Sequence, residues 1–245
     1  MQDNRSVIRV TGEDAAEFLQ GLVTNDTRRL KDGLVYAAIL TPKGKYLADF
    51  FLVPEGDAIL IDVAEPLAAG LLQRLSMYKL RSKVSLEMTD ISVSRGIGAV
   101  PAGAFADPRH PDLGWRAYDG QREDDTDWTA LHVALGVPQS GVELTPDSFI
   151  LEMGFERLNG VDFRKGCYVG QEVTARMKHK TELRKGLARV AIDGPAEPGT
   201  EIIADGKPAG TLHSRAGDRA LAYLRFDRAT GEMSAGEARV TLLER

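Results

Sequence analysis

The stretch Lys165-Gly166-Cys167-Tyr168-Val169-Gly170-Gln171-Glu172 contains the only cysteine among the 245 residues of the chain. Gly166 and Gly170 allow the backbone to take a positive φ or to approach another group closely. Cationic neighbours such as Lys165, together with a helix that starts just after the cysteine, favour a thiolate, so the sequence predicts a reactive Cys167. Residue type alone favours a different interpretation, a small buried side chain, because most lone cysteines are buried.

This stretch, with Arg176 four residues after it, resembles the defining motif of the YgfZ family of folate-binding proteins. These proteins are relatives of the glycine-cleavage T-protein and assist iron-sulfur cluster assembly. The resemblance extends over nearly the whole chain and implies an α+β fold of the GcvT-like folate-binding type. Antiparallel sheets and helices would surround a central cavity, followed by a small C-terminal β-barrel. The resemblance also implies that Lys165 and Arg176 bind the cofactor and that Cys167 is a functional group.

Composition limits the class of protein. The chain is 43% apolar and 27% charged, which is typical of a globular protein with a large domain and a small one. Its net charge of -5 argues against nucleic acid as the main partner. No apolar run reaches the roughly 18 residues of a membrane span, and the N-terminus has no signal-peptide pattern. A single cysteine excludes intrachain disulfides and favours a reducing compartment, so we expect a cytoplasmic protein without a membrane partner.

The segment Phe18–Asp26 resembles the opening motif of the same family. Overlapping this segment, apolar residues at helical spacing predict a helix that begins after Asp14 and ends near Thr24. The resemblance implies that Asn25 contributes to the cofactor site. An equally good interpretation is that Asn25 only ends the helix, because Asn and Asp are favoured in turns by local hydrogen bonding.

Three strand candidates, 34–40, 46–53 and 58–63, are joined by turns that contain Pro and Gly and predict an antiparallel meander. Asp49 lies within the second, otherwise apolar, strand. A carboxylate there is costly to bury unless it is paired, although strand alternation also allows it to face solvent. The resemblance to T-proteins implies that Asp49 stands beside the reactive nitrogens of the folate and is a catalytic residue.

Glu152 lies in the apolar run Phe149–Gly154, shortly before the cysteine stretch. A carboxylate can accept two adjacent hydrogen bonds in a fork, which suits the amide and exocyclic amine of a pterin. The alternative is an ordinary surface glutamate on a short helix, because Glu is usually exposed. T-proteins carry a pterin-binding glutamate in a similar setting, so the resemblance implies that Glu152 binds the cofactor.

The composition changes after about residue 181, where short β-type segments are separated by Gly, Pro and Asp at the interval of a small barrel. We therefore expect a folate-binding region at 1–182, with subdomains near 1–95 and 96–182, and a β-barrel domain at 183–245. The region 101–127, rich in Pro, Gly, Asp and Arg, is expected to be a surface excursion. A basic run over 176–185 is either a solvated face, a site for the glutamate tail of folate or a site for an acidic partner.

The four histidines and the cysteine show no spacing typical of a metal site, so none is predicted. Three functional hypotheses follow. The first is a tetrahydrofolate-binding protein that assists assembly or repair of iron-sulfur clusters in client enzymes through Cys167. The second is a folate-dependent aminomethyltransferase or demethylase, in which Asp49 acts and the cysteine is incidental. The third is a scaffold that binds only a protein partner. Reduced folate and, transiently, iron-sulfur client or assembly proteins are the expected partners.

Overall fold

A computed structural model describes residues 4–120, 124–179 and 182–245, and these divide into two compact units. The first unit comprises the described residues of Met1–Thr126 and Glu156–Glu172, and the second comprises Asp127–Phe155 and the described residues of Val173–Arg245. This grouping differs from the expected division at 182/183, which stays a prediction. Among the described residues, no helix is both long and apolar enough to cross a membrane.

The first unit is built mainly from antiparallel strands. Its strands are β1 (Arg5–Thr11), β2 (Val35–Leu40), β3 (Tyr46–Glu55), β4 (Ala58–Ala64), β5 (Ser85–Thr89), β6 (Ser94–Gly96), β7 (Phe105–Ala106) and β8 (Trp115–Ala117). Its helices are α1 (Ala15–Gln20) and α2 (Glu65–Lys79), and 3-10 turns occupy Thr27–Asp32 and Pro111–Leu113. One sheet has the order β2-β3-β4-β1-β5 and the other the order β6-β8-β7. The predicted meander of β2, β3 and β4 is confirmed.

The two faces of the five-stranded sheet differ in chemistry because successive residues of a strand point to opposite sides. On one face, residues such as Ile39, Phe50 and Ile61 pack with α1 and α2 into an apolar core. The other face is also buried, but it carries Tyr36, Asp49, Phe51 and Asp62. The alternation of β2, β3 and β4 therefore separates an apolar core from a polar layer.

The second unit contains helix α3 (Trp128–Leu135) and a closed barrel. Helix α4 (Gln171–His179) begins in the first unit and continues into the second. The barrel strands are β9 (Lys185–Asp193), β10 (Glu201–Ala204), β11 (Lys207–Ala216), β12 (Arg219–Arg225), β13 (Met233–Ala235) and β14 (Ala238–Glu244). They close in the order β10-β11-β12-β9-β14-β13 around an apolar interior. The predicted C-terminal barrel is confirmed, and its short strand β13 is the strand that the sequence pattern did not predict.

The region 101–127 is not a surface excursion, so that expectation was wrong. It contributes Asp107, Arg109 and Arg116, all of which are buried in the first unit. Their charges are neutralised by each other and by Asp62 on β4, which makes their burial tolerable. Polar composition alone did not reveal these pairings. Residues 121–123 lie outside the described chain.

Candidate functional site

The thiol of Cys167 is exposed, which excludes the alternative of a buried core cysteine. It belongs to residues 159–170, here called the cysteine segment, which has little regular secondary structure and runs directly into α4. The neighbouring Lys165 and Tyr168 are buried, although Gly166 beside the cysteine is exposed. The segment is therefore held from both sides while the thiol remains accessible to a reagent or partner.

Lys165 anchors the cysteine segment. Its Nζ donates to the carbonyl oxygen of Gln20 at 2.7 Å and to that of Val23 at 2.5 Å, and it lies 5.1 Å from the ring centre of Tyr168. Carbonyls at the end of a helix lack intrahelical donors, and a lysine ammonium is a suitable partner for them. Burial lowers the pKa of Lys165 to about 8. The predicted role of Lys165 in cofactor binding remains untested, and its ammonium is engaged with the main chain after α1.

Asn25 connects the end of this same turn to the cysteine segment and to β2. Its Nδ2 donates to the carbonyl oxygens of Tyr36 at 2.8 Å and Asn159 at 2.6 Å, and its Oδ1 accepts from the amide of Asp26. The neighbouring Thr24 donates through Oγ1 to the carbonyl oxygen of residue 160 at 2.7 Å. Both amide hydrogens of Asn25 are therefore used by the fold. Its predicted contact with a cofactor stays a prediction.

The two glycines of the cysteine segment differ. Gly170 has a φ of +84°, and a Cβ added there would lie 2.6 Å from the carbonyl oxygen of Thr41, in the turn before β3. A Cβ on Gly166 would meet no atom within 4 Å. The structure therefore requires glycine at 170, both for its positive φ and for the close approach of another backbone atom. Neither requirement applies at 166.

Asp49 is buried, so the solvated-face alternative is excluded. Its Oδ1 accepts from the hydroxyl of Tyr46 at 2.6 Å and its Oδ2 from that of Tyr36 at 2.9 Å. Burial and the charge of Asp49 raise the pKa of Tyr36 well above its ordinary value. The two tyrosines hold a carboxylate at a fixed position on the polar face of the sheet.

A charged cluster on this face, here called the buried charged cluster, was missed by sequence reasoning. Its members Asp62, Asp107, Arg109 and Arg116 are buried, whereas Arg5 and Tyr118 are half-buried. Asp62 receives bonds from Arg5 at 2.6 Å, Arg116 at 3.0 Å and Tyr118 at 2.9 Å. Burial alone would raise the pKa of Asp62, but Arg116 and Arg5 lower it to about 2. The argument used for Asp49, an acidic residue in an apolar strand, would also have identified Asp62.

The ring of Phe51 lies among the arginines of the buried charged cluster. The guanidinium carbon of Arg116 is 4.2 Å from the ring centre, that of Arg109 is 4.8 Å and that of Arg5 is 5.8 Å. These distances fall within the range of cation–π attraction. The ring therefore offers favourable contact to three cations that would otherwise be poorly solvated.

In the second unit, Glu152 is only 8% exposed, which excludes an ordinary surface glutamate. Its Oε2 accepts from the hydroxyl of Tyr223 at 2.6 Å and lies 3.9 Å from Nζ of Lys185. Burial and this hydrogen bond raise the pKa of Tyr223. Within the described chain, no side-chain hydrogen bond reaches Oε1, so one carboxylate oxygen remains available to a ligand.

Glu152 lines a cleft of about 990 Å³, here called the Glu152 cleft. The other residues that line it are Met177, Glu182, Leu183, Arg184, Lys185, Tyr223 and Arg225. Part of the predicted basic run, Arg184 and Lys185, therefore borders the cleft. Arg176 is exposed on α4. Lys180, another member of the run, lies outside the described residues.

The predicted site residues are divided between the two units. Asn25, Asp49, Lys165 and Cys167 belong to the first unit, whereas Glu152 and Arg176 belong to the second. Within the first unit, hydrogen bonds of Asn25 and Lys165 connect the chain after α1 with the cysteine segment.

Comparison with solved structures shows the fold. The crystal structure of glycine cleavage system aminomethyltransferase T from Bartonella henselae matches with a TM-score of 0.75, covering 99% of this chain and 83% of that chain at 12% identity. Residues 184–244 match the family described as CAF17, C-terminal beta-barrel domain. The predicted GcvT-like fold with a C-terminal barrel is therefore confirmed.

Comparison with curated proteins gives relatives of known name. The chain is 31% identical to iron-sulfur cluster assembly factor IBA57, mitochondrial, of Mus musculus, covering 94% of this chain and 78% of the relative. The Homo sapiens protein of the same name is 30% identical, again over 94% and 78%. A homologue from Mycosarcoma maydis is 30% identical over 84% of this chain, which spans only 60% of that relative.

The expectation of a cytoplasmic location is contradicted by these relatives, which are named as mitochondrial proteins. The inference failed because a lone cysteine excludes intrachain disulfides but does not distinguish one reducing compartment from another.

Proposed function

The chain belongs to the IBA57 family, and from this premise we propose that it assists the assembly or repair of iron-sulfur clusters in client proteins. The observation that carries the proposal is the exposed thiol of Cys167 on a segment anchored through the buried Lys165. One thiol cannot supply the four ligands of a usual cluster. The cluster or its sulfur is therefore cargo that Cys167 shares with a partner. The stretch Lys165–Glu172 also supports a relationship to the YgfZ family.

Reduced folate, such as tetrahydrofolate, is the proposed small-molecule ligand of the Glu152 cleft. The available oxygen of Glu152, with the second lone pair of the oxygen bound by Tyr223, suits the two adjacent donors of a pterin. The cleft volume of about 990 Å³ lies within the range of ligand sites, and Arg184 and Lys185 carry the charge that complements a glutamate tail. These residues fit the ligand. When bound, reduced folate would serve as the carrier of a one-carbon group.

A second candidate function is folate-dependent one-carbon transfer, as in an aminomethyltransferase or demethylase. It is favoured by Asp49, a buried carboxylate held by Tyr36 and Tyr46. The two functions assign the chemistry to different residues. Asp49→Asn would abolish one-carbon transfer, whereas Cys167→Ala would leave it intact.

Complementation tests the cluster function. Cells lacking the endogenous protein receive the natural chain, Cys167→Ala or Cys167→Ser, and the activities of iron-sulfur enzymes are measured. We expect both variants to lose at least ~10-fold in restored activity while expressing at the natural level, because the exposed thiol contributes little to packing. Full restoration by Cys167→Ala would refute a role for the thiol.

Anaerobic calorimetric titration with tetrahydrofolate tests the ligand. We expect saturable binding that weakens at least ~10-fold in Glu152→Gln, equivalent to about 1.4 kcal/mol. Glu201→Gln, at an exposed position of the same unit, is the matched control and should bind normally. No binding by the natural protein would remove folate from the proposal and leave the cluster function to be judged by complementation.

A further inference from the structure

Leu80, at the end of α2, is an apolar side chain in an unfavourable position. It is 88% exposed, and its backbone has a φ of +40° and a ψ of −101°. Glycine is the residue that normally occupies such positive-φ positions at helix ends. Met77, one turn earlier, is 60% exposed and extends the apolar surface. An exposed leucine on strained backbone, with a second exposed apolar residue beside it, is a candidate for contact with another molecule.

A groove of about 1030 Å³ lies beside Leu80 and is here called the docking groove. Its apolar lining includes Phe18 and Leu22, from α1 and the turn after it, and Tyr78 from α2. All of these residues belong to the first unit. The groove therefore combines an apolar surface with an exposed aliphatic side chain at its border.

The charges around the docking groove indicate what it accepts. Lys79 and Arg81 flank Leu80, and no ion pair reaches either cation among the residues that the structure describes. Glu17 and Asp14 also line the groove, and Oδ2 of Asp14 already accepts the backbone amide of Lys83, two residues after Arg81. Acidic groups of a ligand are therefore favoured where they meet Lys79 and Arg81 next to Leu80, and disfavoured next to Glu17.

The docking groove is joined to the cysteine segment through the turn after α1. Leu22 in the groove lies between Gln20 and Val23, whose carbonyl oxygens hold the ammonium of Lys165. Lys165 is two residues from the exposed thiol of Cys167. A molecule bound in the groove would therefore contact the element that anchors the cysteine segment.

We infer that the docking groove binds a segment of a partner protein in which an aliphatic side chain is flanked by acidic residues. The aliphatic side chain covers Leu80, and the acidic residues pair with Lys79 and Arg81. The identity of the partner as an iron-sulfur client or assembly protein rests on the proposed function. The assignment of the docking groove as a binding surface does not depend on that function. It rests on the exposure and backbone conformation of Leu80 and on the charges of Lys79 and Arg81.

Site-specific photo-cross-linking in cells tests the inference with the full chain. A photoreactive amino acid replaces Met77, which leaves Leu80 intact, and a matched control replaces Met88, an exposed residue of β5. We expect one discrete adduct with another protein from position 77 and no such adduct from position 88. Mass spectrometry of the adduct should identify a segment with an aliphatic residue between acidic ones. A synthetic peptide of that segment should bind the purified protein, and replacing its acidic residues with Lys should weaken binding at least ~10-fold.

Two variants separate docking from folding. Leu80→Gly removes the aliphatic side chain but relieves the backbone, so we expect a melting temperature equal to or above that of the natural protein and at least ~10-fold less adduct. Lys79→Glu combined with Arg81→Glu should reduce the adduct equally. The inference is overturned by an adduct that neither variant reduces, by equal adducts at positions 77 and 88, by an adduct with a second copy of the chain, or by a captured segment without acidic residues. A matching segment from a protein unrelated to iron-sulfur clusters would support the surface and count against the proposed function.

Discussion

The ammonium of Lys165 lies 2.5 Å from the carbonyl oxygen of Val23, so a buried cation of the cysteine segment donates a hydrogen bond to the turn that follows α1. A second bond, to the carbonyl oxygen of Gln20, completes the anchor. The charged side chain of Lys165 is buried within the first unit, whereas the nearby Cys167 remains exposed. Fixing a segment through one residue while leaving a neighbour accessible suits a thiol that must meet a large partner.

Lys165→Met keeps most of the side-chain volume but removes both hydrogen bonds. Because two carbonyl oxygens lose a charged donor, we expect the free energy of unfolding to fall by about 2 kcal/mol. Hydrogen exchange should show reduced protection across residues 159–170 with barrel protection unchanged. Lys43→Met, at an exposed position of the same unit, is the control and should change neither quantity. Unchanged exchange in Lys165→Met would contradict the anchoring role.

Glycine substitutions test the close approach at the end of the cysteine segment. Gly170→Ala places a Cβ 2.6 Å from the carbonyl oxygen of Thr41 on backbone with a φ of +84°. We expect a loss of about 2 kcal/mol or more in the free energy of unfolding, since both the clash and the backbone oppose the change. Gly166→Ala is the matched control and should stay within about 0.5 kcal/mol of the natural protein. Urea unfolding measures both, and equal stability of the two variants would refute the steric argument.

Acid titration tests the buried charged cluster. The pKa of Asp62 is about 2 in the folded protein and about 3.9 when unfolded. The native state thus binds fewer protons than the unfolded state between these values, so stability falls as pH falls from about 4 to 2. The carboxylate contributes roughly 2–3 kcal/mol above pH 4, a contribution that is lost progressively in that window. Unfolding free energies measured from pH 6 to pH 2 check the prediction.

Asp62→Asn serves as the test variant for the same cluster. It leaves the buried Arg116 and the half-buried Arg5 without their carboxylate, and we expect a loss of about 3 kcal/mol or more at pH 7. The difference from the natural protein should shrink as pH falls below about 4. Asp57→Asn, in an exposed turn, is the control and should titrate like the natural chain. A difference independent of pH would show that the carboxylate charge is not the cause.

Tyr223→Phe tests how Glu152 is oriented. The change removes the 2.6 Å hydrogen bond to Oε2 but keeps the ring that lines the cleft. We expect tetrahydrofolate to bind roughly 3- to 10-fold more weakly, a smaller loss than for Glu152→Gln, since the carboxylate stays but is less constrained. Tyr78→Phe, in the first unit, is the control. Tighter binding by Tyr223→Phe would mean that the hydroxyl competes with the ligand for Glu152.

Sequence reasoning succeeded where local patterns determine the structure. The apolar run 46–53 between turns that contain Pro and Gly predicted strand β3, and the turn residues at regular spacing after about residue 181 predicted the barrel. Asp49 and Glu152 stood out because each is an acidic residue among apolar neighbours, and both are buried. In these cases the physical signal lies within a few residues of the site.

Sequence reasoning failed where the partners are far apart in the chain. Asp62 and Arg116 are 54 residues apart, and the sequence around either residue does not reveal that they pair. The polar composition of 101–127 indicated exposure, yet three of its charged residues are buried. Their burial is tolerated because their charges are neutralised by ion pairs among themselves and with Asp62. The same reason explains Lys165, whose acceptors Gln20 and Val23 lie more than a hundred positions earlier.

The two compact units are interleaved along the chain, and this has a consequence for the order of folding. Residues 127–155 of the second unit are synthesised before residues 156–172 complete the first. The bond from Asn25 to Asn159 spans 134 positions, so the thiol acquires its native surroundings only after a long loop closes. Contacts of such high sequence separation form slowly. We therefore expect that a newly made chain can form its sheet before its cysteine segment is held in place.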